Sequence, residues 1–474
     1  MLDVIIIGCG IVGATVAYEL SKYNVSVAVL EKNNDVAMGA TKANSAIIHA
    51  GYSSKPGSLM AELNVEGARL AKELFEKLDV PFRQCGSFVL AFSEQEIPEL
   101  ERLLRNGESN SVPGVRIIDR ETVLNMEPNI SKDVIAALYA PSAMIVSPWE
   151  YALALIETAV RNGVDLQLER AVTGIEKTNG AYKLRASGVE YEARCVVNAA
   201  GLYSDEIHNM VAEPLFQIMP VKGEYFLLDK SEGAHINHVI FQCPTAAGKG
   251  VLIAPTVHGN LIVGPSSERI TDREDVSTTA NGLEFVMRSA LLAAPGIDFR
   301  TNVRSFAGNR ARSEYSDFII SEAARGFIDL AGICSPGLSA APAIAKRAVR
   351  LLANNGLDLT IKQDYVDKRS RIRFHALTSG EKAELVARDP AYGRVVCRCE
   401  TVTEGEVRDA LRAPVPPRSA DAVKRRAGAG MGRCQAGFCG PRVLEMLAGH
   451  YRCQLTDVPQ DESGSFVLLE RIGR

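Results

Sequence analysis

The amino-acid sequence predicts an α/β protein in three parts: a Rossmann-like domain, an inserted, mostly antiparallel α+β domain, and a small C-terminal helical domain. Three observations support this prediction. The chain opens with an apolar strand and a glycine-rich turn, β-rich segments interrupt this pattern twice, and four cysteines cluster after residue 395. A chain of 474 residues is long for a single hydrophobic core, so several domains are expected.

The first 32 residues predict a βαβ unit of the kind that binds dinucleotides. An apolar strand is followed by Gly8, Gly10 and Gly13, then by an amphipathic helix and a second strand that ends at Glu31. Gly8 permits a tight turn, Gly10 lets the backbone approach a pyrophosphate, and Gly13 lets the helix lie close to the strand. The Glu31 carboxylate can accept hydrogen bonds from a ribose. The motif alone does not distinguish NAD from FAD.

Later segments indicate how the first domain continues. Residues 39–67 form a long connection rich in Gly, Ser, Asn and Ala, and a loop of this length is expected to be ordered by a ligand. A buried strand over 195–207 and a strand, glycine turn and helix over 327–352 would both return to the first sheet.

Together these stretches resemble the FAD-dependent oxidoreductases of the D-amino-acid oxidase and glycerol-3-phosphate dehydrogenase superfamily over residues 1 to about 365. The resemblance implies non-covalent FAD. It also implies that the cofactor-binding residues are Gly8, Gly10, Gly13 and Glu31 in the ADP-binding motif, Thr41, Asn44 and Ser45 in the loop that passes the flavin, Val172 beside the adenine, Gly201 in the "NAAG" region, and Ser335, Gly337 and Leu338 in the C-terminal flavin loop. Asp205 matches the same "NAAG" region.

The domain boundaries follow from the same pattern. We expect a discontinuous FAD-binding domain (1–80, 147–212 and 318–365), a substrate domain (81–146 and 213–317), a polar and basic linker (366–394), and a cysteine-containing domain with its tail (395–474). Ser147 and Glu150 predict a capping box at the helix that returns the chain to the first domain.

The C-terminal cysteines are spaced as two close pairs: Cys397 with Cys399, and Cys434 with Cys439. Structural zinc sites usually draw their cysteines from CxxC turns, so this spacing fits zinc poorly. A capping box directly after the first pair places those thiols near a helix N-terminus, where thiolate is stabilised. From spacing alone, a zinc site and thiols without a metal stay open.

The capping box that follows Cys397 and Cys399 is formed by Thr403 and Glu406. Around the cysteines, the sequence resembles the bacterioferritin-associated-ferredoxin-like 2Fe-2S domain that some flavin dehydrogenases carry, including iron-sulfur glycerol-3-phosphate dehydrogenases. This resemblance implies a 2Fe-2S cluster held by the four cysteines.

Composition restricts the class of partner. A formal net charge of −4 argues against nucleic acid or an anionic membrane surface as the main partner. The sequence has neither a signal peptide nor an apolar stretch long enough to span a membrane, so we expect a cytoplasmic protein. This balance of charge indicates a small substrate, and the two resemblances imply that it is an anionic alcohol. An electron-acceptor protein or partner subunit is expected too, and it would provide any peripheral membrane association.

The resemblance implies a dehydrogenase that oxidises glycerol 3-phosphate to dihydroxyacetone phosphate, with electrons leaving through the cluster. A dehydrogenase for L-2-hydroxyglutarate or another 2-hydroxy acid is the first alternative, because residues 44–67 resemble both groups, whereas residues 255–268 favour glycerol 3-phosphate. An amine or amino-acid dehydrogenase and an electron-transfer flavoprotein reductase also stay open.

Alcohol oxidation requires a base and a cation for the anionic end of the substrate. His49 is the first candidate base, because it lies in the loop expected to pass the flavin and a neutral imidazole accepts a proton near physiological pH. His258 is the second. For the anion, Arg310 leads, because residues 306–320 resemble the superfamily segment whose arginine holds the substrate, and Arg312 and Lys222 follow it. A structural histidine or a surface salt bridge is the alternative role in each case.

Overall fold

The computed structural model describes residues 1–178, 180–244 and 250–470. The strands are β1 (Leu2–Ile7), β2 (Val27–Leu30), β3 (Ile47–Ile48), β4 (Phe82–Gln84), β5 (Ser87–Ala91), β6 (Arg116–Asp119), β7 (Ala136–Ala140), β8 (Met144–Val146), β9 (Asp165–Gln167), β10 (Val172–Thr178), β11 (Ala181–Ala186), β12 (Val189–Asn198), β13 (Ile218–Leu228), β14 (Val239–Gln242), β15 (Leu252–Pro255), β16 (Leu261–Gly264), β17 (Glu268–Arg269), β18 (Asn302–Ser313), β19 (Ile319–Ala324), β20 (Phe327–Ala331), β21 (Val395–Cys397) and β22 (Val402–Thr403). The helices are α1 (Ile11–Leu20), α2 (Leu59–Lys77), α3 (Ile97–Ser109), α4 (Arg120–Met126), α5 (Pro148–Arg161), α6 (Ser204–His208), α7 (Ala280–Ala293), α8 (Gly337–Asn354), α9 (Ser379–Arg388), α10 (Glu404–Leu411), α11 (Ala420–Ala427) and α12 (Gly440–Tyr451).

The first sheet has a parallel centre. β1 lies between β2 and β12, and β20 joins the other side of β12, all in parallel. Both faces of β1 are buried: Val4 and Ile6 pack in the core shared with α1, α5 and α8, whereas Ile5 and Ile7 pack against β11, β12 and β20. Burial on both faces is typical of parallel sheets, and it explains the uninterrupted apolar run of this strand.

The second sheet has nine strands and is mostly antiparallel; the pairing of β14 with β5 is parallel. Its longest strands, β13 and β18, pair along almost their whole length. β18 reaches the first domain at Gly308, where an added Cβ would lie 2.0 Å from the carbonyl oxygen of Ala43. This close approach brings the second sheet against the loop that follows β2. The predicted fold class is therefore confirmed.

The C-terminal helices surround a small core of their own. Val407, Val423 and Leu447 pack there together with Cys397 and Cys439. Two of the four cysteine side chains are thus core residues of this domain.

The segment 366–394, which we predicted to be a linker, packs on both neighbouring domains. The Arg369 guanidinium donates to Glu157 of α5 at 2.7 Å, and both side chains are buried. On the other side, the Phe374 amide donates to Glu406 at 2.9 Å, and α9 lies within the segment. Composition missed this because a basic run gives no indication of whether distant carboxylates pair with it.

In the described part of the chain, no helix is both long and apolar enough to cross a bilayer.

Candidate active site and metal centre

A cavity of about 1920 Å³ lies where the two sheets meet. This volume exceeds the roughly 300–1,000 Å³ of ordinary small-molecule pockets, so the cavity has room for a large cofactor and a substrate. Most of the predicted cofactor-binding residues line it: Gly8, Gly10, Glu31, Thr41, Asn44, Ser45, Val172, Gly201, Ser335, Gly337 and Leu338.

The glycine turn after β1 leaves no space for a side chain at Gly8 or at Gly13. Gly8 has a φ of +97°, and an added Cβ would lie 2.6 Å from the carbonyl oxygen of Ala199. At Gly13, an added Cβ would lie 2.0 Å from the Gly8 carbonyl oxygen, which is the close helix–strand contact that the motif requires. Gly10 precedes α1 and lines the cavity, so the helix N-terminus is open to an anionic ligand there.

Glu31 is held rigidly at the end of β2. Its Oε2 accepts the Cys9 amide at 2.8 Å, and its Oε1 accepts the Asn33 amide at 2.9 Å. Burial raises the pKa of the Glu31 carboxyl, although these backbone donors act in the opposite direction. The carboxyl group therefore has a fixed position at the cavity wall where the ribose contact was predicted.

The loop after β2 is ordered by its own polar side chains. Thr41 Oγ1 accepts the Ile11 amide at 2.9 Å, and Asn44 donates to the Thr41 carbonyl at 2.9 Å while accepting the Ala46 amide. The Ser45 hydroxyl lies 3.3 Å from the hydroxyl of Tyr225 on β13. These side chains thus shape the loop that lines the cavity and link it to the second sheet.

Asp205, which matches the "NAAG" region, has a different environment from the predicted cofactor-binding residues. Its carboxylate forms a two-point ion pair with Arg273 at 2.7 Å and accepts the Ile218 amide at 2.8 Å. In the structure, Asp205 joins the two domains.

His49 lies on the cavity wall between the two domains. Its main-chain amide donates to Ser339 Oγ on α8 at 2.8 Å, and its Nε2 lies 3.3 Å from Ser335 Oγ. Its ring packs against Phe241 of β14 with 5.8 Å between ring centroids. The backbone bond to Ser339 fixes the position of the His49 backbone, so the imidazole is held at the cavity wall.

Arg310 lies on β18 and lines the same cavity. Its Nη2 donates to the Ser266 carbonyl at 3.3 Å, and Gly223 makes room for it, since an added Cβ there would lie 2.6 Å from Nη2. Within the described residues, no carboxylate lies within ion-pair distance of this guanidinium. Its charge is available to an anionic ligand.

The two other candidates for the anion contact, Arg312 and Lys222, have different environments in the structure. Arg312 lines the cavity two residues further along β18 and is exposed. Lys222 is 3% exposed, and its amine donates to Asp275 at 2.7 Å instead of pointing into the cavity. The prediction of a substrate contact for Lys222 thus conflicts with its position in the structure.

His258 lies in the turn between β15 and β16 and stacks on Trp149 with 5.9 Å between ring centroids. Its Nε2 lies 3.7 Å from Glu150 Oε1, and burial lowers the pKa of His258. The contacts described for His258 are with residues of α5. The contacts described for His49 include those with residues of α8 and β14, so the two histidines lie against different elements.

The four predicted metal-binding cysteines come together as two pairs. The sulfurs of Cys399 and Cys434 lie 3.6 Å apart, and the Cys439 thiol hydrogen-bonds to Cys397. Two thiolates on one tetrahedral metal ion with bonds of about 2.3 Å would be about 3.8 Å apart. Within the described residues, no three His, Cys, Asp or Glu side chains converge on one point. Two pairs fit a binuclear cluster better than a single ion.

Backbone donors surround these sulfurs. The amides of Cys399, Glu400 and Gly430 hydrogen-bond to Cys397, and together with the Cys439 thiol they lower the pKa of the Cys397 thiol to about 6, the thiol having the largest effect. Amide donors are typical around iron-sulfur clusters. The capping box of Thr403 and Glu406 is also present. The residues therefore fit a 2Fe-2S cluster.

The chain belongs to the FAD-dependent oxidoreductase family, because the model of that family matches residues 3–351. Residues 395–449 match the BFD-like [2Fe-2S] binding domain. The protein is thus an FAD-dependent oxidoreductase with a 2Fe-2S domain, as both resemblances implied.

Individual relatives cover different shares of the chain. A glycerol 3-phosphate dehydrogenase of Caloramator mitchellensis is 47% identical over 471 residues, which is 99% of this chain and 98% of the relative. Human mitochondrial L-2-hydroxyglutarate dehydrogenase is 31% identical over 323 residues, 64% of this chain and 69% of the relative. The solved structure of dithionite-reduced L-α-glycerophosphate oxidase from Mycoplasma pneumoniae with FAD bound is 30% identical, with a TM-score of 0.74, and covers 77% of this chain and 98% of that chain.

The cysteine pairs provide a test of the metal centre. We expect Cys397→Ser, Cys399→Ser, Cys434→Ser and Cys439→Ser each to lose the iron, because each removes one thiolate of a pair. Cys453→Ser should retain it, since Cys453 lies outside both pairs. Iron content and the EPR spectrum of the reduced protein measure this outcome. Full iron retention in any of the four variants would remove that residue from the ligand set.

Proposed function

We propose that this protein oxidises sn-glycerol 3-phosphate to dihydroxyacetone phosphate and passes the electrons out through its 2Fe-2S cluster. The observation that carries the proposal is the relative described as a glycerol 3-phosphate dehydrogenase, which matches this chain along both the oxidoreductase and the cluster domains. The glycerophosphate oxidase from Mycoplasma pneumoniae supports the same substrate class for the first two domains.

The cavity supplies the groups that this reaction needs. When bound, FAD supplies a hydride acceptor and the cluster a one-electron acceptor. Arg310, which has no ion-pair partner among the described residues, would hold the phosphate through charge-assisted hydrogen bonds. His49 would take the hydroxyl proton while the hydrogen on the same carbon leaves as hydride, so that the alcohol becomes a ketone.

The substrate can be tested directly on the flavin. Glycerol 3-phosphate, L-2-hydroxyglutarate, proline and NADH are added in turn to the anaerobic protein, and the flavin absorbance is followed. We expect rapid bleaching with glycerol 3-phosphate alone. Bleaching by L-2-hydroxyglutarate in its place would identify a 2-hydroxy acid dehydrogenase, which the 31% identical human relative keeps as the second candidate. Bleaching by proline or NADH alone would also contradict the proposal.

Arg310→Ala should raise the KM for glycerol 3-phosphate by about tenfold or more and change kcat much less, because a charged hydrogen bond to a bound anion contributes about 1.5–3 kcal/mol. Steady-state kinetics with an artificial electron acceptor measure both constants. Arg312→Ala is the matched control, since Arg312 lies on the same strand but is exposed. A larger KM effect for Arg312→Ala than for Arg310→Ala would transfer the phosphate contact to Arg312.

A further inference from the structure

The C-terminal domain docks on the first domain beside the end of β2. Asp35, five residues after β2, is 1% exposed and accepts hydrogen bonds from two arginines of α11. Arg425 Nη2 donates to its Oδ2 at 2.8 Å, and Arg426 Nη2 donates to its Oδ1 at 2.7 Å. Two guanidinium groups on one buried carboxylate make a strong, directional contact.

A second acidic residue extends this contact. Asp461, beyond α12, accepts from Arg425 Nη1 at 2.7 Å and from Lys42 Nζ at 2.9 Å, and its carbonyl accepts from Asn34 at 2.8 Å. We call Asp35, Lys42, Arg425, Arg426 and Asp461 the docking network. It connects the C-terminal domain to the loop that orders the cavity wall, because Lys42 directly follows Thr41.

Apolar packing completes the interface. Val415, which precedes α11, is buried in the core of the first domain. Arg426 Nε also donates to the Val415 carbonyl at 2.8 Å, and α11 packs against α5. The docked position is therefore specified by shape as well as by charge.

The same residues reach the cofactor cavity. Arg425 and Asp461 line the cavity together with Glu31 and Val172, the residues predicted to lie at the ribose and the adenine. The C-terminal domain thus contributes part of the wall at the adenosine end.

α11, which carries the docking arginines, is followed directly by the loop of residues 428–439, which contains Cys434 and Cys439 and is called the cysteine loop below. α11 ends at Ala427, and three residues later Gly430, with a φ of +96°, donates its amide to Cys397. Cys434 follows Arg426 by only eight positions in the chain. A change in the order of the cysteine loop would therefore act on the docking arginines through a single short helix.

We propose that the C-terminal domain is part of the FAD site: the docking network holds it over the adenosine end of the cavity, and FAD retention is coupled to cluster assembly through α11. Coupling of two binding sites is reciprocal in affinity, so FAD should favour the docked domain and the assembled cluster should strengthen FAD binding, which we expect to be seen as slower FAD release. This inference rests on the two cofactors and not on the identity of the substrate.

The first arm of the test measures FAD release from the full-length holoprotein. Asp35→Ala and Arg426→Ala should speed the appearance of free-FAD fluorescence after dilution by about tenfold, within the usual range of such coupling. The matched control is Arg408→Ala, whose ion pair with Asp389 lies within the C-terminal region. It should change the rate less than twofold, by roughly the error of the measurement. Asp461→Ala, at a less buried position, replaces Asp35→Ala if that variant does not fold.

The second arm measures docking and the reciprocal effect. Hydrogen exchange of residues 420–427 should become faster in the docking variants and in Cys434→Ser, and FAD release from Cys434→Ser should be faster too. Faster exchange with an unchanged rate of FAD release would show that the domain is only a neighbour of the FAD site. Unchanged exchange in Asp35→Ala and Arg426→Ala would show that the network does not hold the domain, and would equally overturn the proposal.

Discussion

Gly10→Val should abolish FAD binding while the first domain stays folded. Gly10 has an extended backbone, with a φ of −72°, so a side chain there causes no backbone strain. An added Cβ would lie 3.3 Å from Thr41 Oγ1, and the two further methyl groups of valine would enter the space before α1 where a pyrophosphate must approach. We expect a dissociation constant for FAD at least about 100-fold higher, or about 2.7 kcal/mol.

A graded series separates loss of the ligand from loss of the fold. The ratio of flavin to protein absorbance after desalting reports FAD, and thermal melting of the apo-protein reports stability. Gly10→Ala should bind FAD more weakly than the wild type and melt at the same temperature. Gly13→Ala should lower the melting temperature, because its Cβ would lie 2.0 Å from the Gly8 carbonyl oxygen within the protein itself. Gly10→Val protein that stayed fully yellow after desalting would show that the pyrophosphate lies elsewhere.

Sequence patterns predicted correctly those parts of the fold that depend on residues close together in the chain. The glycine turn and the apolar strands before and after it correspond to β1, α1 and β2, because each depends on residues within one βαβ unit. The capping box of Thr403 and Glu406 was also predicted correctly, since its two side chains and two amides lie within four residues.

The second predicted capping box shows where local reasoning fails. Ser147 does not cap α5, and its hydroxyl is buried without a hydrogen-bond partner among the described residues. Glu150 accepts instead from Arg371 at 2.8 Å and from Arg373 at 3.4 Å. These arginines are more than 200 residues away in the sequence. The sequence around a glutamate does not show whether its carboxylate caps the helix or binds a distant guanidinium group.

In the candidate site, too, the sequence indicated individual residues but not the distant groups that position them. The sequence proposed His49 as the base and Arg310 as the anion contact, and in the structure both line the cavity. The groups that hold them, the Ser339 hydroxyl and the Ser266 carbonyl, come from elements distant in the chain. The docking of α11 on Asp35 is a contact across 390 residues, and no periodicity or spacing indicates it. Long-range ion pairs require the assembled fold.

The prediction about the base follows from the way His49 is anchored. His49→Ala should slow flavin reduction at saturating substrate by roughly a hundredfold or more, because general base catalysis contributes about 10²–10⁴-fold. The variant keeps the hydrogen bond to Ser339, which uses the main-chain amide, so the loop should keep its position. Anaerobic stopped-flow measurement of the flavin absorbance gives the rate, and its dependence on substrate concentration should change far less than in Arg310→Ala.

Ser335→Ala serves as the comparison for His49→Ala, because it removes the hydroxyl 3.3 Å from the imidazole Nε2 but keeps the ring. If the imidazole is the base, this variant should slow flavin reduction much less than His49→Ala does. Equal losses in the two variants would indicate that the pair acts as one hydrogen-bonded unit. A His49→Ala enzyme that reduces its flavin at the wild-type rate would remove His49 from the mechanism. The base would then be His258 or solvent, and His258→Ala would distinguish the two, since only loss of the true base leaves the hydroxyl proton without an acceptor in the cavity.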